Sequence, residues 1–488
     1  MYVSVFMGPF SMSAQQDLPN IELCLRQAEA AAAAGFAMVT FGEQHFNNYE
    51  PYCNPFLMAA RLAPNLGETW FGTTIVPLVL HHPFRLAEDS SVVDLLLRGR
   101  FIMGMSAGRV GFSPDFQNFG LDPARRHEIF ESKLDLLQRA YAHAPGDQPI
   151  VMDTEWDRGE LNGRLMPVSW RAGGPLLAVG TNTDATIETT AGRGLAVFLG
   201  PCLRFEAAAK LARYRRVLAD AGHDPDTIET MAARCLVTRH VIVDRTDDEA
   251  WQRAEVMAGR NPLMDRSTDT RSLRELAQVD LSSPDAVRDP ANRNAVHVQS
   301  WILAGTPDSV TAQLRAYADA GVPQVLTRFT VGAYDPQRIA DSFQLFVDEV
   351  LPNLDAQRFP APTGNEIRAE HRPADDRPAD INVTDRKDNP MSASGTWNAT
   401  IDTPIGKQQV VLQLSVDGAA VTGTATQNGA TNPLLDGAVD GDDLTWKSAV
   451  QQPFPMTLTY KVSVSGDEMS GTAQAGQFPP ARLTGKRA

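Results

Sequence analysis

From residue 1 to residue 354 the chain repeats one rhythm: a short apolar run, then a stretch of helical length. The apolar runs fall at 3–7, 37–41, 70–76, 101–106, 176–179, 196–199, 237–243 and 325–329. Amphipathic or Ala/Leu-rich stretches such as 21–34, 84–97, 126–143, 204–221, 309–320 and 336–350 lie between them. Parallel strands need a crossover of this length, usually a helix, so the alternation predicts an α/β fold with a parallel sheet. Eight such strands over this length predict a (β/α)8 TIM barrel. The helix stops agree. Gly35, Gly222 and Gly321 stand where left-handed caps fall, and Thr306-Pro307-Asp308 opens a helix as a cap and first-turn proline. The stretch 259–305 fits no strand–helix unit. It is polar and rich in Arg and Asp, and it reads as an insertion over the barrel mouth, a lid or a disordered loop. A second irregular stretch, 157–174, reads as a short hairpin.

The rhythm stops after residue 354. Residues 355–394 are charged and proline-bearing, with few large apolar side chains, which is the composition of a linker. From 395 to 488 alternating runs of strand length are broken by Asp417-Gly418, Asp440-Gly441-Asp442 and Ser465-Gly466-Asp467. Turn dipeptides between alternating runs predict a small antiparallel meander, closed as a barrel or folded as a sandwich. At 488 residues the chain has length for both domains.

Composition narrows the partners. A net charge of −15 argues against nucleic acid or an anionic membrane surface. A local group of Arg98, Arg100, Arg109, Arg125 and Arg126 suffices for one phosphate. Cys24, Cys53, Cys202 and Cys235 are scattered without a CxxC pair, which points to a reducing, cytoplasmic setting. Residues 1–7 read as a first strand and not as a signal peptide, and no apolar stretch is long enough to span a bilayer.

Barrel enzymes keep their chemistry at the C-terminal ends of the strands. Glu43-Gln44-His45 directly follow the second strand. They offer proton transfer or a charged contact; the alternative is a loop hydrogen-bond cluster. His81-His82-Pro83 follow the third strand, and a metal site with Glu43 and His45 is conceivable on residue type. Adjacent histidines lack the i,i+4 spacing of a helical metal pair, so no metal is expected, and His82 reads as a helix cap. Ser106-Ala107-Gly108-Arg109 leave strand four, and Gly180-Thr181-Asn182-Thr183 leave strand five before a helix beginning near Asp184. Each is either a tight turn or half of an anion site; together they would flank one phosphate.

The ordered set of motifs matches a known family. Its pieces are Phe41-Gly42-Glu43-Gln44-His45-Phe46, Asn54-Pro55, Gly72-Thr73-Thr74-Ile75 and His82-Pro83-Phe84-Arg85-Leu86-Ala87-Glu88-Asp89. Further along come Gly99-Arg100-Phe101, Asp115-Phe116 through Phe119-Gly120, Gly305-Thr306-Pro307-Asp308-Ser309-Val310 and Val350-Leu351-Pro352. Over residues 1–354 the chain resembles the bacterial luciferase-like flavin monooxygenases. The resemblance implies a barrel that binds reduced FMN at its mouth, where a peroxyflavin formed with O2 oxidises a small apolar aldehyde, ketone or similar substrate. It also implies a homodimer, a separate flavin reductase, and a cis peptide near Thr73-Thr74-Ile75 beneath the flavin ring. The family's phosphate contacts fall on Arg109, Gly180, Thr181 and Thr183. Two departures matter. Gln44 stands where luciferases proper have a proton-handling histidine, and glutamine exchanges no proton near neutral pH. Ser106 stands where the family has a reactive cysteine. Light emission is therefore not expected, and oxygenase or reductase chemistry is. Excluding water would suit an apolar lining from Phe6, Phe41, Trp70 and Phe112, with 259–305 as the lid; the alternative for these rings is barrel core. A flavin- or deazaflavin-dependent dehydrogenase and a non-catalytic flavin-binding protein are the competing readings.

Overall fold

In the computed structural model all eight expected strands form and close on one another. The description covers residues 1–109, 115–258, 269–329, 336–371 and 393–488, the last without 404–405, 418–419, 428–429, 441–442, 451–455, 466 and 476–479. Strands β1 (Tyr2–Phe6), β2 (Met38–Phe41), β3 (Trp70–Pro77) and β4 (Phe101–Ser106) pair in parallel in chain order. A hairpin, β5 (Ile150–Asp153) and β6 (Arg158–Leu161), stands apart from them. The barrel continues through β7 (Leu176–Gly180), β8 (Ala196–Leu199) and β9 (Leu236–Val243). A short strand, β10 (Ile302–Gly305), precedes β11 (Gln324–Arg328), which closes the barrel on β1 from Tyr2↔Gln324 to Phe6↔Arg328.

Three expectations are corrected. The hairpin lies at Ile150–Leu161 and not within 157–174; only its second strand falls in that stretch. The insertion 259–305 is not simply a polar lid. Residues 259–268 lie outside the described residues, but the rest holds three short α-helices, one 3-10 turn and β10. Leu273, Leu276, Ala295 and Val298 there pack with Ala250, Ala254 and Ile242 as a separate small core. β10 pairs with His240–Val243 of β9, whose earlier half, Val237–His240, pairs with β11. Finally, the stretch read as a linker begins as part of the first compact unit, which runs from Met1 to Arg372. Phe359 stacks on Tyr2 with centroids 4.3 Å apart, and Glu366 pairs with Arg171 at 2.9 Å. One aromatic and one carboxylate anchor a stretch whose average composition looked unfoldable. Residues 372–392 lie outside the described residues.

The second unit is a barrel and not a sandwich. Strands β12 (Gly395–Thr403), β13 (Gly406–Asp417) and β14 (Ala420–Gln427) lead, with β15 (Ala430–Pro433) paired to β14. Then β16 (Leu435–Asp440), β17 (Asp443–Val450), β18 (Met456–Ser465), β19 (Glu468–Ala475) and β20 (Ala481–Arg487) follow as antiparallel neighbours. β20 closes on β12 through Trp397↔Arg487, so eight strands form the ring and β15 stands beside it. Its core is apolar, with Trp397, Leu412, Trp446, Tyr460 and Leu483 fully buried. Among the described residues no helix is long and apolar enough to cross a membrane.

Candidate active site

β2 ends at Phe41 with every side chain buried, so the first place it can present a charge is the loop beyond. That loop is pinned to the barrel. Gly42 N–H donates to the Tyr52 hydroxyl (3.1 Å), which donates to the Met7 carbonyl (2.7 Å). Phe46, Glu50 and Cys53 take positive φ, coiling the loop back over its strand. The result is a buried Glu43 carboxylate whose Oε1 accepts two hydrogen bonds, from His45 Nε2 (2.8 Å) and His81 Nε2 (2.7 Å). His81 arrives from the turn after β3, the strand beside β2, so both loops open at the same end of the barrel. Its backbone carbonyl is held by Lys133 Nζ (2.7 Å), and Lys133 is ion-paired with Asp157 (3.1 Å) in a nearly dry setting.

The electrostatics follow from these contacts. Burial by itself would raise the Glu43 carboxyl, but the hydrogen bonds and charges of His45 and His81 outweigh it and hold the group below the usual range. His45 is raised, chiefly by its bond to Glu43, against the effect of partial burial. A second carboxylate, Glu50, is fully buried nearby and pushed up to about 7 by desolvation, with Arg328 opposing and Glu43 reinforcing the rise. The Arg328 guanidinium lies 4.7 Å over the Phe6 ring and donates to the Gly8 carbonyl (3.0 Å). Among the described residues Oε2 of Glu43 and Oε2 of Glu50 are buried without a hydrogen-bond partner. Beside the cluster stands an apolar rim. The His45 ring meets Phe119 edge-on at 5.1 Å, Phe46 lies 5.7 Å from Phe119, and Phe46 is 75% exposed.

Across the mouth, β4 and β7 pair through Met105↔Val179, which sets their following loops side by side. Ser106 Oγ accepts the Gly108 N–H (3.1 Å). A Cβ at Gly180 would sit 2.5 Å from Ile75 Cδ1, so the tip of the Ile75 side chain occupies the space beside this glycine. Thr181 Oγ1 accepts the Thr183 N–H (3.1 Å), and Thr183 Oγ1 donates to Thr186 Oγ1 (2.8 Å). The helix Asp184–Gly192 starts at this point, and the Thr183 side chain does not cap its backbone. Its first N–H groups therefore face outward with the positive end of the helix dipole behind them.

Not every expected residue reaches this mouth. Trp70 opens β3, at the opposite end of the barrel, where it packs on Phe359 (5.4 Å) and under Arg171 (5.3 Å). It cannot line a pocket at the strands' C-terminal ends. Thr73 is wholly buried and spends its hydroxyl on the Gly104 carbonyl (2.9 Å), so its side chain is structural. Thr74 is half-buried and donates to Thr40 Oγ1 (2.7 Å). The Thr74–Ile75 peptide is cis, where the β3–β4 register shifts. Gln44 Oε1 accepts from Asn47 Nδ2 (3.0 Å), a contact that braces the loop. Phe6 is buried beneath Arg328, Phe41 is core against Phe71, and Arg109 is exposed at the end of the loop after β4. Phe112 lies outside the described residues. His82 is the cap of the next helix, its Nδ1 accepting the Arg85 N–H (3.4 Å). Among the described residues no three His, Cys, Asp or Glu side chains are grouped to hold a metal ion. His81 as a partner of Glu43 by hydrogen bonding, Lys133 behind it, and the Glu50–Arg328 pair were not anticipated. His81 had a signal: it stands at a strand end next to Glu43's strand. Lys133 and Arg328 lie far away in sequence and had none.

Comparison with known proteins bears on the family and the fold. The chain is 28% identical over 288 residues to 4-hydroxyprotoasukamycin monooxygenase of Streptomyces nodosus subsp. asukaensis, covering 54% of this chain and 75% of that one. It is 26% identical over 212 residues to the alkanal monooxygenase alpha chain of the Kryptophanaron alfredi symbiont, covering 43% of this chain and 57% of that relative. In fold it is similar to the oxygenating constituent of 3,6-diketocamphane monooxygenase from Pseudomonas putida, solved with FMN. That match has a TM-score of 0.57 at 19% identity and covers 74% of this chain and 100% of the other. A family model for luciferase-like monooxygenases matches residues 1–324, two-thirds of the chain. With the parallel barrel, the strand-end carboxylate and the cis bond after Thr74 in the places the motifs indicated, the chain belongs to the luciferase-like monooxygenase family.

Proposed function

We propose that the first unit is an FMN-dependent monooxygenase that uses reduced FMN and O2 to oxidise a small, largely apolar substrate of the aldehyde or ketone class. The observation that carries this reading is the Glu43 carboxylate, buried at the barrel mouth with one oxygen bonded to two imidazoles and the other unpartnered. A dry polar group with unused capacity is costly unless a ligand completes it.

The residues fit a flavin mononucleotide. The outward N–H groups at Asp184 and the Thr181/Thr183 hydroxyls suit its phosphate, with Arg109 and Ser106 on the adjacent loop. On the barrel side stands the half-buried Thr74, at the cis Thr74–Ile75 peptide. When bound, the reduced flavin supplies two electrons and the site of reaction with oxygen. The chain's own groups hold a proton at the mouth and keep water out: His45 beside Glu43 does the first, and the Phe46–Phe119 rim does the second. Reduced flavin comes from a separate flavin reductase, and the working form is a homodimer.

The test is direct. The purified protein is titrated anaerobically with reduced FMN, oxidised FMN and a deazaflavin, then exposed to 18O2 with a panel of aldehydes and ketones. Tight binding of reduced FMN and 18O in the product support the proposal. Substrate turnover with a deazaflavin and without oxygen would replace it with a dehydrogenase. Flavin binding without turnover would leave a carrier, and no flavin binding would overturn it.

A further inference from the structure

We propose that His81 is a catalytic residue of this site, forming with His45 and Glu43 one proton-holding unit that supplies what Gln44 cannot. The inference rests on the oxygenase reading above and names an additional residue within it.

Glutamine cannot exchange a proton near neutral pH. Gln44 is moreover occupied with Asn47. The mouth nevertheless holds a second imidazole, from a different strand end. His81 Nε2 lies 2.7 Å from the same Oε1 that His45 Nε2 reaches at 2.8 Å. An ionised carboxylate only accepts, so each ring carries its proton on Nε2. That leaves Nδ1 of each ring as the exchangeable position, and neither makes a hydrogen bond among the described residues. Both rings are part-exposed, while the carboxylate that joins them is buried. One carboxylate charge balances one imidazolium, so the unit has a place for one added proton, on Nδ1 of either ring. In the step, a proton leaves a donor at the mouth and bonds to His81 Nδ1. The charge formed is paired with Glu43 through Nε2–H···Oε1, and the return step breaks the Nδ1–H bond.

The scaffold holds His81 for this task. Lys133 fixes its backbone carbonyl, and Asp157 fixes Lys133. The charged and titratable groups around the unit are few. Asp115 acts on His45, Glu50 and Cys53 couple to Glu43, and Arg328 faces Glu50. His82, next in sequence, points elsewhere and caps its helix, so it serves as the control.

Two experiments test the proposal. In steady-state kinetics H81N should lower kcat by about 100-fold or more, the usual range for a lost acid–base group, with flavin affinity little changed. H81A should be partly rescued by added imidazole, while H82N should behave as wild type. In the ligand-free protein, 15N-edited imidazole spectra should show His45 and His81 both as the Nε2–H tautomer, and E43Q should release both rings from it. Circular dichroism guards against misfolding, with H81Q as the second variant. If wild type turns over and H81N and H81Q keep its kcat and pH profile, the proposal is overturned while the oxygenase reading stands. If wild type neither binds flavin nor turns over, the oxygenase reading fails, and the spectra still report the two Nε2–H tautomers. An Nδ1–H tautomer for either ring in wild type would sink the unit itself.

Discussion

The chain closes eight strands into a barrel twice, and among the described residues only the first barrel gathers ionisable groups at a mouth. The difference lies in strand direction. In the parallel barrel every strand reaches the same end, so the loops after β2, β3, β4 and β7 bring Glu43, His81, Ser106 and Thr181 to one rim. In the antiparallel barrel successive strands end at opposite rims, and neighbours in sequence are carried apart. Burial differs too. β2 and β8 are buried along their whole length, which pushes polar residues out to the loops. β14 alternates, its inward positions apolar and its outward ones polar or small. The described charges of the second unit pair along its outer face, as with Lys461–Asp443 and Lys447–Asp436, while Trp446 stacks on Tyr460 inside. One barrel is organised around a buried carboxylate and the other around buried indoles.

The sharpest way to press this contrast is E43Q. It keeps the shape and removes the charge that both imidazoles share, so turnover should fall by roughly 100- to 10,000-fold, with a smaller loss of flavin affinity. Unchanged turnover would remove the carboxylate from the chemistry. The counterpart in the second unit is W397A. Trp397 is fully buried, with its indole N–H bonded to the Ala393 carbonyl (2.9 Å). Its loss should cost about 3–5 kcal/mol of that unit's stability. Calorimetry should show a lowered transition for the second barrel and unchanged flavin binding by the first. A parallel loss of flavin binding would break the contrast.

The smallest effect concerns Glu50. Its carboxyl stands at about 7 in the folded chain against 4.5 in its unperturbed state. Between those values the folded state keeps a proton that the unfolded state has lost, so this group's contribution makes stability fall as pH rises across the interval. E50Q cannot titrate. Its stability relative to wild type should therefore rise from pH 4.5 to 7, by at most about 3 kcal/mol. Chemical denaturation across that range measures it, and a flat difference would show that Glu50 is ionised in the folded state.

Much of this was legible in advance because it is local. The eight apolar runs became the eight barrel strands, since a run buried on both faces needs no distant partner to be recognised. β10 escaped notice because Ile302-Leu303-Ala304 is too short to carry a period. The linker reading of 355–394 averaged away Phe359 and Glu366, whose anchoring partners, Tyr2 and Arg171, lie far off in the chain. At the site, Glu43 and His45 were visible as a strand-end pair two residues apart. Trp70 was misplaced by its type alone, for as the first residue of the run 70–76 it lies at the end of its strand away from the mouth.

Local residue pattern sets the direction of the eight barrel strands, and with it the end of the barrel where Glu43 and His45 lie, because helix-length crossovers leave a parallel sheet no other choice. Residue type alone says that Gln44 cannot carry a proton. What stands in its place comes from packing between distant segments. His81 lies 38 residues from Glu43 and Lys133 another 52 beyond His81; the pairing of β2 with β3 sets His81 on the Glu43 carboxylate, and Lys133 holds the His81 carbonyl. Hydrogen bonds at 2.7 Å between residues so far apart depend on register and loop path, which no local pattern records.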